Sequence, residues 1–186
     1  MEQEIKINNA WQRVRLNIPN MMQIFNANKK NISSCGELWE KIQETTDVNA
    51  IIDAVEDLAE VDTETAKKWV YERLAVDTWR GGMMQEYAIN IIKAEGWDAR
   101  TANEQEDKQG IDLVAVKDGQ KINIQIKPLS FFKCTNPICK YKRALLFDKC
   151  HDNNIYIMIY DGDIFVLNDK NKYLHDVKTL MRLWQK

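Results

Sequence analysis

Apolar positions recur every three or four residues over much of the first 80 positions of the chain. Ile51, Ile52, Val55, Leu58 and Ala59 form one stripe, with Asp53, Glu56, Asp57 and Glu60 on the other faces, the pattern of an amphipathic helix. Asp62-Thr63 opens a further helix that holds Trp69, Val70, Arg73 and Leu74. Gly81-Gly82 then punctuates the chain, and Met83, Met84, Tyr87, Ala88, Ile91 and Ile92 predict the apolar stripe of another helix, ending at Gly96. From Trp97 the period changes. A short strand is expected at Asp98–Thr101, a polar loop over 103–109, and β-rich runs over 111–117 and 121–126 with Asp118-Gly119 between them as a tight turn. A helix over 138–150, a second hairpin of 155–160 and 164–167 around Asp161-Gly162, and a closing helix over 173–184 complete the order. Helix, three strands, helix, two strands, helix predicts an α/β fold, a mixed sheet flanked by helices, with a helical N-terminal extension. The expected division is a helical region 1–80 and a sheet-bearing core 81–186.

The turn fixes the hairpin register. A two-residue Asp118-Gly119 loop pairs Lys117 with Gln120, so Ala115 faces Ile122, Leu113 faces Ile124 and Ile111 faces Ile126, one wholly apolar face. On the other face Asp112 lies opposite Gln125, and Lys127 follows on the same side. Helices covering a sheet make such a face apolar, and an isolated ionised carboxylate there is costly to bury. A divalent cation removes that cost, with Asp112 as an anionic oxygen ligand, Gln125 as a neutral one and water completing the shell. Lys127 is then placed to polarise a nucleophilic water or to neutralise a phosphate. Glu86, on the helix entering the sheet region, could supply a second carboxylate. Glu104, Glu106 and Asp107, just ahead of the strand, compete as ligands but read better as solvated loop charges.

These residues resemble the PD-(D/E)XK nuclease superfamily. Glu86 on a helix, Gly110-Ile111-Asp112 opening a strand and Gln125-Ile126-Lys127 on the next look like its QxK variant, and the resemblance covers roughly residues 82–167. It implies a restriction-endonuclease-like core in which Asp112, Gln125, Lys127 and Glu86 are catalytic and Asp112, Gln125 and Glu86 hold Mg2+, with Mn2+ able to substitute. Ile111 replaces the motif proline and Gln125 a carboxylate, which places more weight on Glu86. Small type II restriction endonucleases carry helical additions of this kind, and within them the chain resembles the MjaI group.

Composition adds partners to the picture. The chain of 186 residues has 26 Lys+Arg against 28 Asp+Glu, which excludes a uniformly basic nucleic-acid coat. The charge is uneven: residues 1–30 carry five basic and two acidic side chains, 31–80 five and twelve, and 128–150 five and one. Ser130, Lys133, Lys140, Lys142 and Arg143 follow the lysine strand and could hold phosphates, though a solvated helix start reads equally well. Arg13, Arg15, Asn17, Asn20, Gln23, Asn26, Lys29 and Lys30 are side chains able to read base edges, anchored by Trp11, Leu16, Ile18 and Phe25; ordinary turn chemistry competes with that reading. Trp39, Trp69 and Trp79 could supply dimer surface or fill a helical core.

Zinc is disfavoured at Cys134, Cys139 and Cys150, because Cys150 and His151 are adjacent and rarely both reach one tetrahedral ion. Four cysteines do not make a disulfide framework, which fits a reducing compartment. No apolar run approaches the roughly 20 residues needed to span a bilayer, so a cytoplasmic protein is expected. The reading that results is a Mg2+-dependent endonuclease of double-stranded DNA, a type II restriction enzyme acting as a homodimer, with no membrane partner. A structure-selective repair nuclease or junction resolvase, and a non-catalytic DNA-binding protein on the same fold, are the alternatives.

Overall fold

The computed structural model describes residues 2–135 and 137–184, the side chains of Ile138 and Trp184 excepted. The chain divides into two units, Met1–Met83 and Met84–Lys186.

The first unit is helical: α1 (Glu2–Val14), α2 (Met21–Asn28), α3 (Cys35–Thr45), α4 (Val48–Ala59) and α5 (Thr63–Tyr71). Four of these starts are set by side-chain caps. Asn20, Ser34, Asp47 and Asp62 accept hydrogen bonds from the backbone N–H groups of Met22, Glu37, Ala50 and Thr65, which the first turn of a helix otherwise leaves unpaired. The stripe read from the sequence is the buried face of α4, with Val55 and Ala59 packed among Ile7, Ala10, Leu38, Ile42 and Val70; Leu58 lies outside it, exposed.

A π-helical turn (Glu72–Val76) joins α5 to α6 (Asp77–Ala94). Here the expected break at Gly81-Gly82 does not occur, and the helix passes straight through both glycines. Their role is packing. A Cβ on Gly82 would lie 2.3 Å from the Phe25 ring, whose edge meets Trp79 at 5.8 Å. Within the predicted stripe of α6, Met84, Ala88 and Ile92 are buried together with Ile89, whereas Met83 and Tyr87 are exposed.

The second unit is a mixed sheet between helices. β1 (Asp98–Thr101), β2 (Leu113–Lys117) and β3 (Gln120–Pro128) are antiparallel; β4 (Ile155–Asp161) is parallel to β3, and β5 (Ile164–Phe165) and β6 (Leu174–His175) both pair with β4. Between the strands lie α7 (Glu104–Lys108), α8 (Leu129–Lys133), α9 (Pro137–Asp152) and α10 (Val177–Trp184). One face, formed by Leu113, Ala115, Ile122, Ile124, Ile126 and Met158, packs against Met84, Ala88, Ile89 and Ile92 of α6. The other, with Val114, Ile155, Ile157 and Ile159, packs against Phe132 of α8, Phe147 and Cys150 of α9, and Val177 and Leu180 of α10.

The expected hairpin register holds: Lys117 pairs with Gln120, Ala115 with Ile122 and Leu113 with Ile124. Three details differ from the sequence reading. The loop expected over 103–109 contains α7, a short helix closed by a capping box in which Asn103 and Glu106 bond each other's backbone N–H. Ile111 leaves the predicted apolar face and joins the α9 side, because Gly110 at φ 80° turns the chain just ahead of the strand. The closing helix starts at Val177, after Leu174 and His175 have extended the sheet; His175 is buried, its Nε2 donating to Val166 O at 3.0 Å.

Candidate active site

Three side chains meet where β2 begins and β3 ends. Asp112 is fixed first by its backbone, its N–H donating to Ile124 O at 2.8 Å and its carbonyl accepting from Ala102 N at 2.9 Å. Its Oδ2 accepts from Ile126 N at 2.7 Å and from Gln125 Nε2 at 3.2 Å. A carboxylate that takes a backbone N–H of the neighbouring strand is held in one rotamer. Gln125, 6% exposed, pairs across β3 and β4 with Ile157, and Lys127 pairs with Ile159, which places both on the α9 face of the sheet. Asp112, Gln125 and Lys127 therefore share a side, as the two-residue alternation of β3 requires.

The donor atoms suit a hard cation. Among the described residues no hydrogen bond reaches Asp112 Oδ1 or Gln125 Oε1, and none, nor any ion pair, engages the Lys127 ammonium. One carboxylate oxygen and one amide oxygen thus remain beside a half-buried lysine, the oxygen chemistry preferred by Mg2+. On the same face of the sheet Cys150 is 1% exposed, and burial pushes its thiol up to about 11, with the Lys127 charge lowering it and the Asp112 charge raising it.

Glu86 belongs to α6 and hence to the helix on the opposite face of the sheet. Its position along the strands is nevertheless that of the site. Tyr87 lies 5.8 Å from Phe165, which pairs with Tyr160 opposite Pro128, whereas the far end of α6 meets the hairpin turn through Lys117 Nζ on Glu95 O at 2.9 Å. α6 thus runs antiparallel to β3, with half-buried Glu86 at the end where Asp112 and Lys127 lie. Among the described residues no group of three or more His, Cys, Asp or Glu gathers in one place.

The basic segment after β3 separates into two kinds of side chain. Ser130, Lys133 and Lys140 are exposed and Lys142 is half-buried. Arg143 is buried, its Nη1 donating to the carbonyls of Phe131, Phe132 and Cys134 at 3.3, 2.7 and 3.1 Å, so its guanidinium ties the end of α8 to α9. Cys134 and Cys139 form a disulfide, a pairing not expected from the sequence, while Cys35 and Cys150 are free thiols. In the helical unit Arg13, Arg15, Asn17, Asn20, Gln23, Asn26 and Lys30 are exposed and Lys29 is half-buried; Asn20 also serves as the α2 cap. Of the expected anchors Phe25 is buried, but Leu16 is 80% exposed and anchors nothing.

Glu106 does not behave as a solvated loop charge. Its side chain is 12% exposed and accepts from Arg100 Nη1 and Nη2 at 2.7 and 2.9 Å, from Lys121 Nζ at 3.3 Å and from Asn103 N at 2.9 Å. Arg100 above all holds its carboxyl down at about 2. The Asn103-x-x-Glu106 spacing of the capping box was the signal for this in the sequence.

A six-stranded mixed sheet between helices, with Asp, Gln and Lys at one strand end, defines an α/β protein of the restriction-endonuclease-like fold. The family model described as MjaI restriction endonuclease matches residues 20–161, so the chain belongs to the MjaI restriction endonuclease family. It is accordingly a DNA endonuclease of the restriction type, a hydrolase acting on DNA. None of the curated proteins compared matches the chain. Among the described residues no helix is long and apolar enough to cross a membrane.

Proposed function

We propose that the enzyme is a Mg2+-dependent type II restriction endonuclease of the PD-(D/E)XK class, in its QxK variant, acting in the cytoplasm as a homodimer on double-stranded DNA. The observation that carries this reading is the shared sheet face of Asp112, Gln125 and Lys127, with Asp112 tied through one oxygen so that its other oxygen and the Gln125 carbonyl stay free. Asp112 and Gln125 would hold the cation, with Glu86 reaching the same strand end from α6. When bound, such a cation supplies Lewis-acid activation of water and stabilises charge on the phosphate. Lys127 orients the attacking water and offsets the negative charge that develops on the phosphoryl oxygens. The Ile126 N–H and the Gln125 amide keep Asp112 from swinging away as that charge develops. Ser130, Lys133, Lys140 and Lys142 grip the backbone of the scissile strand, and the exposed Arg, Asn and Gln side chains of residues 13–30 contact the duplex in the helical region.

The test is cleavage of plasmid and genomic DNA with and without Mg2+, beside Lys127→Ala and Asp112→Asn. Discrete fragments from the native enzyme are expected only with Mg2+. Both variants should lose at least about a hundredfold in rate while DNA binding in Ca2+ persists. Cutting of branched DNA irrespective of sequence would make it a structure-selective nuclease instead. Binding without a cut in any metal would leave a non-catalytic DNA-binding protein.

A further inference from the structure

Asp112 owes its place to the ten residues before it. The Ala102 N–H donates to Asp112 O at 2.9 Å, so the intervening segment is a closed loop with Asp112 at its mouth. Inside the loop α7 carries the chain to the strand: Gly110 N donates to Asp107 O at 2.8 Å and Ile111 N to Glu106 O at 3.1 Å. Five residues make a helix that cannot hold itself together, so something outside must fix it. Glu106 does so. Its carboxylate reaches Arg100 on β1 and Lys121 on β3, the strands on either side of β2, and closes the capping box on Asn103 N. From the other side Lys149 of α9 donates to Lys108 O at 2.9 Å.

We infer that Glu106 is a positioning residue for the cleavage reaction: by clamping α7 to β1 and β3 it sets where the Asp112 carboxylate stands relative to Gln125 and Lys127. This rests on the assignment of Asp112 and Lys127 to the active site. The Glu106 carboxylate is taken up by Arg100, Lys121 and Asn103 N, and it acts through the Glu106–Ile111–Asp112 backbone. A displacement of a ligand by about 1 Å can cost on the order of a hundredfold in rate without changing affinity for the rest of the substrate. Its neighbour Glu104 offers an internal comparison, since it sits on the same helix with the same charge but is exposed and, among the described residues, its side chain pairs only with Lys108, at 2.8 Å.

The experiment compares Glu106→Gln, Glu104→Gln and Lys127→Ala in the full-length protein by steady-state cleavage, amide hydrogen exchange and thermal unfolding. For Glu106→Gln the expected result is a kcat at least about tenfold lower, a KM for DNA within about twofold of the native value, and lost protection at the Asp112 and Ile126 amides while β4 amides keep theirs. Glu104→Gln should cleave as the native enzyme does. A native kcat in Glu106→Gln, or a loss wholly in KM, overturns the inference. So does a rate loss that merely follows the unfolded fraction. If Glu106→Gln does not fold, Arg100→Gln removes the same clamp from its other side and is read by the same criteria. Should Lys127→Ala still cut DNA, the site assignment itself fails, an outcome separate from any result at Glu106.

Discussion

At the scale of single residues, Asp112 engages its carboxylate unevenly. Oδ2 is committed to the next strand, through Ile126 N and Gln125 Nε2, while no hydrogen bond among the described residues reaches Oδ1. Glu106 shows the complementary case of a carboxylate wholly committed to structure. The Arg100 guanidinium holds its carboxyl at about 2 against the ordinary 4.5, so the folded state binds its proton less readily than the unfolded chain does. A carboxylate depressed in this way contributes stability that is fully present above about pH 4.5 and is lost as the pH falls from there towards 2. Denaturant titrations of the native protein and Glu106→Gln should therefore differ most at neutral pH and converge near pH 2, and a gap independent of pH would contradict the ion pair with Arg100. Arg100 and Lys121 are the cations facing this carboxyl, so the same convergence is expected for Arg100→Gln.

At the scale of elements, glycine gives the sharpest prediction. The Gly82→Ala substitution raises helix propensity yet sets a Cβ 2.3 Å from the Phe25 ring, which is 2% exposed and cannot swing out. Overpacking of this kind costs about 1–3 kcal/mol against the roughly 0.5–1 kcal/mol that alanine gains in a helix interior, so the thermal midpoint should fall rather than rise. This glycine also marks where sequence reading goes astray. Gly81-Gly82 reads as a break because propensity is a local signal, whereas the demand of Phe25 for room comes from 57 positions away in the sequence. The hairpin was legible for the opposite reason: a two-residue turn and two-residue alternation together fix every partner from Lys117–Gln120 to Leu113–Ile124. That logic carried Asp112, Gln125 and Lys127 to one face and failed one residue earlier, at Ile111, where the Gly110 turn interrupts the alternation. α7 was invisible because its five residues carry no apolar period, and only the cap spacing betrays it. The basic cluster after β3 looked uniform in sequence; burial alone separates Arg143, which ties the end of α8 to α9, from the exposed Lys133 and Lys140.

At the scale of the whole molecule, each chain carries one set of Asp112, Gln125 and Lys127, whereas a double-strand break needs two phosphodiester hydrolyses on strands of opposite polarity. A twofold-symmetric pair of chains matches the symmetry of the duplex and presents one site to each strand. The alternative is a monomer that nicks, releases and returns. The two differ in how a dead subunit behaves. Co-refolding native chains with about a ninefold excess of Lys127→Ala places roughly nine in ten native chains in mixed pairs, each able to cut a single strand. Plasmid should then accumulate as nicked circles, with linear product falling far below what the native concentration alone would give. If instead linear product forms at the rate set simply by the amount of native chain, the strands are cut one at a time by independent molecules, and the homodimer is ruled out while the assignment of the site stands. Running the same mixture with Asp112→Asn in place of Lys127→Ala should give the same nicked product, because either lesion disables the subunit it sits in and leaves its neighbour's strand to be cut.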